Sequence, residues 1–151
     1  MKYLINFLKT NKLTIATCES FTGGMFGDLL SNTPGVSEFY KGSFICYSNE
    51  FKENILQIDA QVIKKDGVVS RNVLREMLKQ TQKILKTEIV FGFTGYAPPI
   101  DKNNKLSGLS YLGFLIKDQE YIFEFKITKN ISRKTYKKRA INFILKKFKE
   151  I

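Results

Sequence analysis

Residues 13–24 read LTIATCESFTGG and residues 35–52 read GVSEFYKGSFICYSNEFK, and the fold turns on how these two stretches are read. Each holds a short apolar run, Leu13–Thr17 and Gly42–Tyr47, followed by small and polar residues that open a helical pattern. A continuous apolar run of this length suits a strand buried on both faces. The change to apolar residues three and four apart marks a helix packed back onto it. Met25, Phe26, Leu29 and Leu30 form such a stripe after the first run, with Ser20 or Thr22 as N-cap. Ser48 and Asn49 cap a helix after the second run that reaches about Ile58, with Phe51, Ile55 and Leu56 inward.

Outward from these stretches, residues 2–11 place Leu4, Ile5 and Leu8 at helical spacing. Asn32-Thr33-Pro34-Gly35 is turn punctuation. Gly67-Val68-Val69-Ser70 turns into a helix over Asn72–Leu85 with Val73, Met77 and Ile84 on one face. Glu88–Thr94 is a third, almost wholly apolar strand. After Gly95-Tyr96-Ala97-Pro98-Pro99 and a polar loop come a strand at Leu109–Ile116, an alternating hairpin partner at 121–127, and a helix over Arg133–Lys149. Ala140, Ile141, Ile144, Leu145 and Phe148 make the apolar face of that last helix. Strands interleaved with helices, then a hairpin and a closing helix, predict an α/β fold: a three-layer α/β/α sandwich with a mixed, mostly parallel sheet. A chain of 151 residues fits one domain with its own core, so residues 1–151 are read as a single domain.

No apolar run approaches the ~18 residues of a membrane-crossing helix. The N-terminus MKYLINFLKTNK is broken by Asn6 and Lys9 and has no small-residue cleavage site, so it reads as an amphipathic helix and not as a leader. Cys18 and Cys46 sit in apolar segments without metal-ligand spacing, as buried reduced thiols do. These features predict a cytoplasmic protein with no metal and no other cofactor. The formal charge is +11, yet only four of the 25 basic residues are Arg. Lys lacks the planar fork that reads bases and phosphates well, so a solvated lysine face is expected first and a nucleic-acid surface second.

The chain has no histidine, so acid–base or nucleophilic chemistry must use Ser, Tyr, Lys, Cys or carboxylates. Ser37, Tyr47 and Lys52 form one candidate set around the second strand. A serine hydroxyl needs a base to take its proton, and Lys serves only if burial or a nearby cation lowers its pKa. Tyr47 would relay the proton or hydrogen-bond an oxyanion. Residue types alone leave a bland alternative standing: surface Lys, capping Ser and packed Tyr. Thr22-Gly23-Gly24 lies between a strand and a helix, where open sheets bind ligands and helix N–H groups favour anions. A tight turn that needs small residues without any ligand accounts for it equally well.

ESFTGG, then PGVSEFYKGSFICYSNEFK, GVVS, TGYAPP and KLSG follow in the order and approximate spacing of the CinA C-terminal domain family, which the chain resembles from about residue 13 to the last helix. The resemblance implies an α/β/α domain with nicotinamide mononucleotide (NMN) deamidase activity, hydrolysing the carboxamide to the carboxylate and releasing ammonia. It also implies a domain that occurs alone or behind a larger N-terminal domain, which is not expected on this chain. By the same resemblance the catalytic serine, tyrosine and lysine fall on Ser37, Tyr47 and Lys52. Substrate binding falls on Ser20, Thr22, Gly23 and Gly24, on the Thr94-Gly95 loop, and on Arg133 as partner of the phosphate or the new carboxylate. The small-molecule partner implied is a nucleotide.

Two departures from the family pattern stand out. Pro98 takes the place of a glycine and removes one N–H donor, which predicts weaker binding or a changed substrate if that loop holds the phosphate or ribose. Ile131-Ser132 stands where the family has Gly-Asp. The spacing adds a demand as well. A strand over Gly42–Tyr47 extends ~20 Å, with Ser37 before it and Lys52 after it. Either Ser37–Tyr40 folds back as a helical turn, or Ser37 meets Lys52 of another subunit in a homo-oligomer. The alternative function is a non-catalytic nucleotide- or nucleic-acid-binding relative that keeps the fold.

Overall fold

A computed structural model describes residues 1–151. Helix α1 (Lys2–Asn11) leads into β1 (Ile15–Glu19), α2 (Met25–Ser31), a 3-10 turn at Val36–Glu38 and β2 (Tyr40–Ile45). Then come α3 (Asn49–Asn54), α4 (Ala60–Asp66), α5 (Arg71–Leu85), β3 (Ile89–Gly95), the hairpin β4 (Leu109–Ile116) and β5 (Gln119–Lys126), and α6 (Arg133–Lys149).

The strands form one sheet in the order β2-β1-β3-β4-β5. β2 and β3 flank β1 in parallel, while β4 and β5 continue antiparallel. Four of the five strands therefore run the same way, as expected of a mixed, mostly parallel sheet. Alternation along the strands divides the core in two. Ile15, Ile89, Phe91 and Phe93 face α1, α2 and α6, whereas Ala16, Cys18 and Val90 face α4 and α5. On the first side Phe91 is the centre of an aromatic cluster, with ring centroids 4.9 Å from Phe26, 5.3 Å from Phe114 and 5.4 Å from Phe148. On the second side α5 lies so close that a Cβ on Gly92 would stand 2.8 Å from methyls of both Leu74 and Leu78.

The differences from the sequence reading have local causes. β1 begins at Ile15, not Leu13, because the Leu13 N–H closes the end of α1 on the Leu8 carbonyl and the Thr14 N–H goes to the Glu88 carboxylate. β2 begins at Tyr40, not Gly42, since pairing with β1 starts at Ile15–Tyr40 and bulges past Lys41. α3 ends at Asn54, short of Ile58, and a separate helix α4 follows with Asp59 as its cap. Ser48 and Ser70 cap α3 and α5 through the N–H groups of Phe51 and Val73. Leu29, Ile55 and Ile84, expected inward, are 37%, 48% and 42% exposed.

The start of α2 departs most. Neither Ser20 nor Thr22 caps it; Gly24 does, at φ 92°, a backbone angle that favours glycine. The orphan N–H groups of Phe26 and Gly27 donate instead to Glu19, at 3.0 and 2.8 Å. Glu19 is fully buried at the end of β1 and also accepts from the Thr17 hydroxyl at 3.2 Å. The hydroxyls of Thr17, Ser43 and Tyr40 join it in a chain that ties β2 to the same point. This carboxylate therefore fixes the turn from which Ser20 projects.

Removing it leaves two buried N–H donors without partners. Glu19→Ala is expected to lose about 2–4 kcal/mol of stability, read as a lower urea midpoint, with Glu19→Gln recovering part of the loss. A midpoint unchanged in Glu19→Ala would contradict this role.

Candidate active site

Beyond the carboxyl ends of β2, β1 and β3 lies a cleft of ≈ 290 Å³, the place where open α/β sheets accept ligands. Its wall includes Ser20 from the end of β1, Thr94 and Gly95 from the end of β3, Tyr47 and Lys52 from the segment after β2, and Arg133 from the start of α6. Six residues singled out in the sequence thus converge from four separate segments.

Lys52 is the least ordinary of them. Its side chain is 1% exposed, although lysine is almost never buried unless paired with an anion. No carboxylate pairs with it. Its Nζ donates to the carbonyl of Cys46 at 2.8 Å and, more loosely, to those of Ser48 at 3.4 Å and Tyr47 at 3.5 Å. The short α3 accounts for this geometry: capped by Ser48, it turns the chain back so that residue 52 lies over the carbonyls that end β2. Burial pulls the Lys52 ammonium below the ordinary lysine pKa, with the nearby thiols of Cys46 and Cys18 pulling the other way. Burial likewise pushes the Cys46 thiol up to about 11 and raises that of Cys18, so both are protonated at neutral pH and take no part as thiolates.

The other wall residues are held from behind. Thr94, 1% exposed, donates its hydroxyl to the Val68 carbonyl at 3.0 Å. Gly95 has no room for a Cβ, which would overlap the Ser110 side chain. Arg133 donates through Nη1 to the carbonyls of Pro98 at 2.8 Å and Ala97 at 3.2 Å. It therefore braces the Tyr96–Pro99 loop, and only its remaining donors are available to an anion. Pro98, read as a lost N–H donor, contributes a carbonyl to this brace.

Four residues read from the sequence stand outside the cleft wall. Thr22 is 1% exposed and its hydroxyl has no partner. Gly23 and Gly24 shape the turn at φ 63° and 92°, the first beneath the Lys137 ammonium and the second against Ile45. Ser37 lies in the exposed 3-10 turn before β2. That turn does not fold back: the strand separates it from Lys52, so a single chain does not bring Ser37 and Lys52 together. Conversely, Asn49, Asp101, Asn104 and Ser107 line the cleft without having been singled out as ligand contacts. Ser107 accepts from the Asp101 N–H at 2.8 Å and donates to the Pro99 carbonyl at 3.1 Å, closing the polar loop over the cleft. The KLSG segment, which contains Ser107, was the only sequence signal for this wall.

A mixed sheet with a cleft at the carboxyl ends of its parallel strands and a buried lysine in the cleft wall defines the class: an α/β protein, of the kind whose ligands, where they occur, sit at that end of the sheet. The chain belongs to the CinA C-terminal domain family, whose model matches residues 1–151. It is 36% identical over 151 residues to a protein of Bacillus mycoides (strain KBAB4) described as competence-damage inducible. That match takes in 97% of this chain but 36% of the relative, so the chain spans about a third of the curated relatives' length. Among solved structures, a competence damage-inducible protein A from Klebsiella pneumoniae superposes with a TM-score of 0.89 at 22% identity, over 97% of this chain and 91% of that one. A CinA superfamily protein from Escherichia coli gives 0.86 at 24% identity, over 93% and 81%. These two likenesses bear on the fold. No helix of the chain is long and apolar enough to cross a membrane.

A lysine with a lowered pKa binds fewer protons in the folded than in the unfolded chain between the two pKa values, so its contribution to stability rises with pH across that window. The raised cysteines act in the opposite sense. The difference in unfolding free energy between wild type and Lys52→Met isolates the lysine. It is expected to move in favour of wild type as pH rises from 7 towards about 10.4, the ordinary lysine value, in urea titrations. A flat difference would mean that Lys52 keeps an ordinary pKa.

Proposed function

We propose that the protein is an amidohydrolase that cleaves the carboxamide of NMN, giving nicotinic acid mononucleotide and ammonia. The observation that carries this reading is the buried Lys52 ammonium without an anionic partner at the floor of a ligand-sized cleft. Maintaining such a group costs stability, and its lowered pKa is what a general base requires. In this reading the neutral Lys52 amine takes the proton of the attacking hydroxyl and returns it to the leaving nitrogen, which departs as ammonia. Water, deprotonated by the same amine, then cleaves the resulting acyl-serine ester, releasing the acid and restoring the hydroxyl. Tyr47, 62% exposed at the rim, supplies a donor to the oxyanion. Ser20 and the free donors of Arg133 hold the phosphate end, with Thr94 and Gly95 shaping the opposite wall.

The attacking hydroxyl is assigned to Ser37 of a second copy. β2 is an edge strand whose second edge pairs with nothing in the chain. Antiparallel pairing of two β2 strands about a two-fold axis reverses one against the other. The turn before β2 in each copy then lies beside the segment after β2 in its mate. That arrangement meets the demand set by the spacing and makes the protein a homo-oligomer with shared sites. A second reading, favoured by the distance of Ser37 from the cleft within one chain, is a nucleotide-binding relative without turnover.

Ammonia release from NMN tests the enzyme. Lys52→Ala is expected to lower the rate about 10³-fold and Tyr47→Phe about 10²-fold. No turnover by wild type above the Lys52→Ala control sinks the activity on this substrate, and NMN binding without release favours the second reading. Co-expression of a Ser37→Ala chain with a Lys52→Ala chain tests the sharing. Mixed dimers rebuild one complete site, so about a quarter of wild-type activity returns in a random mixture. No recovery rejects the shared site.

A further inference from the structure

The charge of this protein is not spread over its surface. Helices α1 and α6 together carry ten basic residues and no acidic one, while the rest of the chain holds fifteen basic and fourteen acidic residues. The formal net charge of +11 therefore resides almost entirely on two helices. These two pack side by side on one face of the sheet, joined by Phe148 against Tyr3 and Phe7. A lysine-rich composition by itself would enrich every helix alike; here α1 and α6 are the two helices without any acidic residue. α3, α4 and α5, on the opposite layer, mix seven basic with four acidic residues.

The cations of this face are also unpaired. Its one ion pair joins Lys147 to Glu150, just past the end of α6. Lys134, Lys138, Arg139, Lys146 and Lys149 are exposed along α6, opposite its buried stripe of Tyr136, Ala140, Ile141, Ile144 and Phe148. Lys2 and Lys9 extend the field across α1. Like charges crowded in this way repel one another and destabilise the free protein, and an extended polyanion would relieve that repulsion.

We propose that the α1–α6 face binds the phosphate backbone of a nucleic acid without regard to sequence. α6 is ~25 Å long, with its basic residues in two groups, Arg133–Arg139 and Lys146–Lys149, against a phosphate spacing of ~3.4 Å per strand along a duplex axis. Several phosphates therefore face the helix at once. Lysine, a flexible point charge, suits contacts that position a backbone and not those that read bases. An anionic membrane is the poorer fit, because interfacial helices insert large apolar side chains. Tyr3, 42% exposed, is the one large exposed hydrophobic side chain on α1 and α6, and its ring is partly engaged by Phe148 and the Lys149 ammonium.

The test is fluorescence anisotropy with a labelled duplex of about 30 base pairs of mixed sequence, in KCl from about 50 to 200 mM. Wild type is expected to bind with log K falling about 4–6 units per unit of log salt. A variant with Lys134, Lys138, Lys146 and Lys149 all changed to Gln should bind at least about 10²-fold more weakly, with a slope flatter by about 3–4. A second variant, Lys64, Lys65, Lys79 and Lys83 to Gln, removes the same charge from the exposed surface of the opposite layer and should keep affinity within about threefold of wild type. Circular dichroism melts verify that both variants fold. Absence of salt-dependent binding by wild type overturns the proposal. Equal losses in the two variants overturn it as well, since net charge and not this face would then be responsible. Binding to phosphatidylserine vesicles with none to the duplex would assign the face to a membrane instead.

Discussion

A buried ammonium that meets carbonyls and no carboxylate is the constraint around which the cleft is organised. Lys52 occupies the floor because β2 ends at Ile45, Ser48 caps a short helix, and the chain returns over the carbonyls of Cys46, Tyr47 and Ser48. Uncompensated burial of a charge is costly, and the surroundings do not remove that cost by pairing. They lower it with hydrogen bonds and leave the neutral amine within reach on deprotonation. Residues on three other segments are then fixed around that point. Glu19 holds the turn behind Ser20, Val68 holds Thr94, and the Arg133 brace holds the Tyr96–Pro99 loop.

Much of this was legible in the sequence, for identifiable reasons. The strands β3 and β4 and the helices α1, α5 and α6 have strong periodicity or long apolar runs, and their observed bounds lie within a residue or two of the reading. Ser48 and Ser70 were recognisable as caps because hydroxyl residues preceded helical patterns. The start of α2 was not, because its N-cap is Gly24 and its free N–H groups are served by a distant carboxylate counted as part of a motif. Nothing in a linear pattern says that Glu19 points inward and serves N–H groups seven and eight residues on. Element α4 was missed because its seven residues bury a single side chain, Ile63, too little for a periodic signal.

The site shows the same division. Ser20, Tyr47, Lys52, Thr94, Gly95 and Arg133 are brought together in one cleft, whereas Thr22, Gly23 and Gly24 act on the shape of a turn. The length of β2 was itself a legible constraint: a strand between Ser37 and Lys52 keeps them apart, and the 3-10 turn at Val36–Glu38 does nothing to shorten the path. The charge distribution was legible only in part: the sequence already concentrates basic residues between Lys117 and Glu150, on a helix with an apolar other face. The total of +11 says nothing about α1 and α6 lying together on one layer, which only the packing of Phe148 against Tyr3 and Phe7 makes plain.

The chemistry assigned to the cleft stands or falls with the protonation of one amine. Lysine labelled with ¹³C at Cε and followed by NMR across the alkaline range, with Lys52→Met to assign the signal, measures it directly. A Lys52 resonance that titrates clearly below those of the exposed lysines, near their ordinary value of about 10.4, is the result predicted. A Lys52 resonance that titrates together with them would contradict its role as a base made available by burial.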